Sequence, residues 1–105
     1  MSETIYNKLV RDKIPEKITL NGETPICRVL NDEEFKVEAL KKLIEEAKEF
    51  LKTPNIEERA DIAKILKLID EIFEFSTLNI KNTRIEKLEK RGGFLDKIFL
   101  EKTTN

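Results

Sequence analysis

The chain has 105 residues, enough for one domain with a modest core. Its 20 basic and 21 acidic residues leave a net charge of −1, which excludes a nucleic-acid binder driven by bulk positive charge. Histidine is absent and Cys27 is the one cysteine, so a His/Cys zinc site, a histidine general base and an internal disulfide are excluded.

Apolar residues recur periodically, and Gly and Pro are few, as expected of a folded chain rather than a disordered one. No apolar run is long enough to span a bilayer. Met1 to Lys13 lacks the basic, apolar and small-residue segments of a signal peptide. A cytoplasmic setting with no membrane partner is expected.

Ile5 to Ile18 mixes apolar and basic residues and is broken by Pro15. The pattern predicts a short helix or turn near Tyr6–Arg11, then an irregular segment. Asn21-Gly22 signals a turn. Pro25 to Leu30 reads as a short strand with imperfect alternation, in which Cys27 is a small apolar residue.

Asn31 with Glu34 has the spacing of a capping box and predicts a helix start. Phe35, Ala39, Leu40, Leu43, Ala47 and Phe50 then fall at helical spacing. The helix is expected to end near Lys52, because Pro54 disfavours helix in the residue before it. Asn55 is the expected cap of a second long helix running to about Phe75. Ile62, Ile65, Leu66, Leu68, Ile69, Ile72 and Phe73 give that helix a broad apolar face. More apolar surface results than one short chain covers, which predicts a homo-oligomer with this helix near the interface.

The acidic residues of these two helices are the chemical signal. Glu46 and Glu49 sit three apart, as do Glu58 and Asp61, so each pair shares a helix face. Projected down its axis, Glu58 lies between Ile65 and Ile69, and Asp61 between Leu68 and Ile72. Charges on an apolar arc are costly unless paired or metal-bound. Crowded carboxylates with a cation between them suit Mg²⁺, Mn²⁺ or Ca²⁺. The plainer alternative is a set of exposed salt-bridge partners, since Glu and Lys interleave throughout.

A third helix, from about Asn79 to Arg91, is expected to stop at Gly92-Gly93. Arg84, Lys87 and Arg91 share one face of it. That face either holds phosphate oxygens or is solvated surface near a helix C-terminus. Ile98-Phe99-Leu100 is a candidate strand to pair with Ile26–Leu30. The expected fold is mainly α, an antiparallel helical bundle with a small terminal β element, in a single domain spanning 1–105.

Glu45-Glu46-Ala47-Lys48-Glu49, followed by Glu58-Arg59-Ala60-Asp61, resembles the EExxE and ExxD motifs of the MazG-like, all-α nucleoside triphosphate pyrophosphohydrolases. Tyr6 to Pro15 and Arg91-Gly92-Gly93-Phe94 look like the small house-cleaning branch of that superfamily. The resemblance covers nearly the whole chain, with the motifs in the expected order. It implies cleavage between the α and β phosphates, releasing a nucleoside monophosphate and pyrophosphate. It also implies Mg²⁺ (or Mn²⁺) bound by Glu46, Glu49, Glu58 and Asp61. Glu45 completes the motif, contacting a metal-bound water or facing solvent. Arg59 departs from the pattern, since relatives commonly carry an apolar residue there.

The catalytic set that the resemblance implies is Glu45, Glu46, Glu49, Glu58 and Asp61, which would act by charge neutralisation and a positioned water. Arg84, Lys87, Arg91, Lys8 and Arg11 are candidate substrate contacts. For Lys8 and Arg11 the alternative is a segment that docks through Tyr6, Leu9 and Val10. Rival functions are phosphoribosyl-ATP pyrophosphohydrolase and a non-catalytic cation-binding helical module. The expected substrate is a nucleoside triphosphate, modified or deoxy, and no nucleic acid.

Overall fold

Short polar side chains set the starts of the three longer helices. In the computed structural model, which describes residues 2–105, the order is α1 (Ile14–Leu20), α2 (Asp32–Lys52), α3 (Ile56–Ile72) and α4 (Thr77–Arg91). Asn31 Oδ1 accepts from the Glu34 N–H at 2.9 Å, and Glu34 Oε1 accepts from the Asn31 N–H at 3.3 Å. This reciprocal box satisfies two backbone donors at the α2 start. Asn55 Oδ1 accepts from the Glu58 N–H, and Ser76 Oγ from the Asn79 N–H. Only helices, turns and irregular segments occur among the described residues. No helix is long and apolar enough to cross a membrane.

The chain divides into two compact units, Met1–Glu74 and Phe75–Asn105. In the first, α2 and α3 pack along each other. They are antiparallel: Phe35 and Lys36 near the α2 start lie close to Ile72 and Phe73, and Glu46 faces Glu58 and Asp61. Ala39 is fully buried and Ile69 is 6% exposed, so the seam between the helices is the core. Phe35, Leu43 and Phe50 of α2, and Ile62, Ile65, Leu68 and Ile72 of α3, line that seam half-buried. The chain leaves α3 through Glu74 in the left-handed region, φ 57.

In the second unit, α4 buries no residue. It stops at Gly92, whose N–H donates to the Leu88 carbonyl at 2.9 Å and whose φ of 77 favours glycine. The remaining chain, 93–105, is irregular, with Phe94, Leu95, Ile98, Phe99 and Leu100 exposed.

Several expectations are corrected. No strand forms at Pro25–Leu30 or at Ile98–Leu100, so the terminal β element is absent among the described residues. Both segments are irregular, and Cys27 is exposed. Tyr6–Arg11 is not helical; the first helix starts at Ile14, with Pro15 in its opening turn. Proline lacks an N–H that this position would leave unpaired, so Pro15 begins a helix instead of breaking one. Helix α3 ends at Ile72, before the expected Phe75, and α4 starts at Thr77, before the expected Asn79, because the Ser76 hydroxyl accepts from the Asn79 N–H and caps it there.

Candidate metal centre

The α2–α3 hairpin brings acids from two sequence-distant motifs together. Glu46 of α2 and Glu58 and Asp61 of α3 each offer a carboxylate oxygen, and the three oxygens lie within 4.8 Å of one another. All three residues are half-buried. The helical spacing of Glu58 and Asp61 sets them on the arc that faces α2, beside buried Ile69 and half-buried Ile65, Leu68 and Ile72.

Cations border the triad. Arg11 Nη2 donates to Asp61 Oδ1 at 2.9 Å. Lys42 Nζ lies 3.5 Å from Glu46 Oε1 and 3.3 Å from Glu45 Oε2. The side chains of Lys42 and Glu46 are only 14% and 13% exposed, so this pair is the least hydrated at the site. Lys8 Nζ donates to Glu45 Oε1 at 2.9 Å and also sits 5.9 Å above the Tyr6 ring.

The electrostatics separate two of the acids. Partial desolvation pushes the Glu58 carboxyl above its ordinary pKa, and the charges of Asp61, Glu46, Glu49 and Glu57 push it the same way. Desolvation alone would raise Glu45 too. There the Lys8 hydrogen bond and the nearby Lys42 outweigh it and hold Glu45 below the usual range. The Glu45 hydrogen bond in turn raises Lys8, against a smaller desolvation effect. The strongest influences on Glu58 thus all raise it, while Glu45 has two cations at ion-pair distance. The region around Glu58 favours an added positive charge.

The proposed residues fall into distinct places. Glu46, Glu58 and Asp61 converge. Glu49 is exposed and outside the triad, yet near enough for its charge to act on Glu58. Glu45 is occupied by ion pairs with Lys8 and Lys42. Lys8 and Arg11 reach the acids, and Leu9 and Val10 are half-buried. Tyr6 is 65% exposed, so the opening segment is tethered by charge as well as by apolar contact, and Tyr6 is not a docking residue. Arg84, Lys87 and Arg91 are exposed on α4 in the second unit. Arg91 borders a cavity of about 140 Å³ there, with Gly92, Gly93 and Lys97.

Lys42 is the site residue that motif reasoning missed. Its signal was present, because it stands three before Glu45 and four before Glu46 on one helix. A larger cavity, about 430 Å³, lies at the opposite end of the hairpin among Asp32, Glu33, Phe35, Lys36, Ile72 and Glu74. It contains none of the triad and plays no part in this site. The chain matches no family model, no curated protein and no solved structure.

Proposed function

We propose that the protein is a Mg²⁺-dependent hydrolase that cleaves a nucleoside triphosphate, modified or deoxy, to the monophosphate and pyrophosphate. The observation that carries this reading is the convergence of Glu46, Glu58 and Asp61 within 4.8 Å. Three carboxylates form a hard oxygen donor set, which suits Mg²⁺, with Mn²⁺ as the alternative ion. The resemblance of the two acidic motifs to MazG-like enzymes supports the same reading.

In this reading Glu46, Glu58 and Asp61 would hold the ion, with Glu49 the further ligand that the resemblance implies. When bound, Mg²⁺ neutralises phosphate charge and lowers the pKa of a coordinated water. The chain's own residues do the rest. Lys8 and Arg11 exchange their carboxylate partners for phosphate oxygens, Arg11 by forked hydrogen bonds and Lys8 as a point charge. Glu45 and Lys42 fix each other and keep the α2 side of the site in register. The same reading takes the protein as cytoplasmic and as a homo-oligomer, the latter because α2 and α3 both leave large apolar side chains exposed.

The test is pyrophosphate release with Mg²⁺ over standard, deoxy and modified nucleoside triphosphates and phosphoribosyl-ATP, with Asp61→Asn in parallel. Metal-dependent turnover that the variant loses supports the reading and names the substrate. Turnover of phosphoribosyl-ATP alone would transfer it to that enzyme class. A second reading, a cation-binding module without catalysis, draws on the Arg11–Asp61 and Lys42–Glu46 pairs, which already neutralise part of the site. It expects no turnover of any substrate, with metal binding intact.

A further inference from the structure

The acid site leaves Tyr6 without a role. Its ring is 65% exposed, although an aromatic side chain has a large area to bury. Phe35, Phe50 and Phe73, the other aromatic residues of the first unit, are half-buried. The Tyr6 ring is nevertheless held. Asn7 takes a left-handed backbone, φ 46, which asparagine tolerates, and the chain bends at the next residue. Lys8 Nζ then lies 5.9 Å from the Tyr6 ring centroid while donating to Glu45 Oε1 at 2.9 Å. Leu9 and Val10, both half-buried, anchor the residues that follow, and Arg11 reaches Asp61. One run of contacts thus leads from an exposed aromatic face, through an ammonium, to the carboxylates.

We propose that Tyr6 is the platform on which the nucleobase of the substrate stacks. The proposal deepens the nucleoside triphosphate reading; it rests on the nucleotide part of it and not on the cleavage. A nucleoside triphosphate has a flat aromatic base at one end and an anionic chain at the other. The opening segment offers the matching groups in that order: an aromatic face at Tyr6, a point charge at Lys8 and a forked donor at Arg11. When Lys8 passes from Glu45 to a phosphate oxygen, it fixes that oxygen close to the ring. The sugar that joins base to phosphate spans a gap of the same order as the one between Tyr6 and Lys8. Stacking reads the face of a base and not its hydrogen-bonding edge, so it tolerates any base. The exposure of Tyr6 leaves that edge in water. The substrate class is therefore broad and includes bases modified at the edge. Purines rank ahead of pyrimidines, because their larger rings stack more strongly.

Tyr6 is the one tyrosine and tryptophan is absent, so the ultraviolet emission of the chain reports on this ring. The full chain with Mg²⁺ is titrated with α,β-methylene analogues of nucleoside triphosphates, which resist cleavage, and with tripolyphosphate, which carries the charge but no base. Free N-acetyltyrosinamide in the same solutions corrects for absorption by the base. Saturable quenching by the analogues, beyond any change that tripolyphosphate causes and stronger for purines, is expected. In turnover assays Tyr6→Ala is expected to raise KM roughly 5- to 150-fold, the range of one lost stack, with kcat far less affected. Tyr6→Phe, which keeps the ring, recovers most of that loss. Metal-dependent turnover with unchanged KM in Tyr6→Ala, and no quenching beyond that of tripolyphosphate, would overturn the platform and leave the hydrolase standing. An equal loss in Tyr6→Phe would overturn the platform too, because the hydroxyl and not the ring would then be the contact. Saturable quenching without turnover of any nucleotide would keep the platform and overturn the hydrolysis. Neither quenching nor turnover would overturn both.

Discussion

Arg11 donates from Nη2 to Oδ1 of Asp61 at 2.9 Å, across 50 residues of sequence. The pair ties the opening segment to α3, and it competes with any cation that Asp61 would bind. Both side chains are well hydrated, 62% and 39% exposed, so the pair adds little to stability. Arg11→Ala is expected to change the melting temperature by at most a few degrees. Titration calorimetry is expected to show tighter Mn²⁺ binding in the absence of nucleotide, since a competitor is gone. If the proposed hydrolysis holds, KM for the nucleotide is expected to rise. Unchanged metal affinity would mean that Asp61 does not contact the ion.

Asp61→Asn removes one carboxylate charge from the triad while keeping the side-chain shape. Turnover is expected to fall by roughly two orders of magnitude or more, on the scale seen when one preorganised electrostatic group is lost. Circular dichroism is expected to report intact helix content. A variant that keeps wild-type turnover would remove the carboxylate triad from catalysis.

Glu58 predicts an unusual pH trend. Its folded-state pKa lies above the unfolded value, so the folded chain binds that proton more tightly. Its contribution to stability is fully present below the unfolded pKa and declines as pH rises through the folded one. Glu58→Gln abolishes that decline, and without metal its melting temperature at neutral pH is expected to equal or exceed that of the wild type. If the triad holds Mg²⁺ as proposed, saturating Mg²⁺ is expected to stabilise the wild type more than the variant, because the ion would relieve the same repulsion. Melting curves at several pH values, with chelator and with Mg²⁺, decide this. A variant less stable than wild type in chelator contradicts the repulsion argument.

Glu34 and Glu45 behave in the opposite way. The Arg28 hydrogen bond, reinforced by the Asn31 N–H, holds Glu34 below its ordinary range, and Lys8 with Lys42 does so for Glu45. Their contributions are present above the unfolded pKa and are lost as pH falls through the folded one. Acid unfolding is therefore expected to begin with the α2 cap and the Lys8 tether. Asn31→Ala removes the cap and is expected to cost about 1 kcal/mol in urea titrations. Equal stability in the variant would show that the box contributes nothing.

Ile69 and Ala39 fill the seam of the hairpin. Ile69→Ala is expected to destabilise by about 2–4 kcal/mol, and Ala39→Leu by about 1–3 kcal/mol through overpacking. Chemical denaturation of each variant measures these values directly. Changes below half a kilocalorie would mean that the two helices do not pack as described.

Local sequence determined the long helices and the grouping of acids on their faces. Asn31, Asn55 and Gly92 act on backbone groups within four residues, so the starts of α2 and α3 and the end of α4 were legible from spacing alone. The same short-range geometry put Glu58 and Asp61 on the arc turned toward α2. Tertiary structure decided the rest, because the deciding partners are remote. Lys8 meets Glu45 across 37 residues, and Arg11 meets Asp61 across 50. Two β-prone segments stayed irregular, since a strand exists only when another pairs with it. Periodicity marked the apolar positions of α2 without saying which would be covered. Packing against α3 took Phe35, Ala39, Leu43 and Phe50, and left Val37, Leu40, Ile44, Ala47 and Leu51 to water, because one neighbouring helix covers only one side of another.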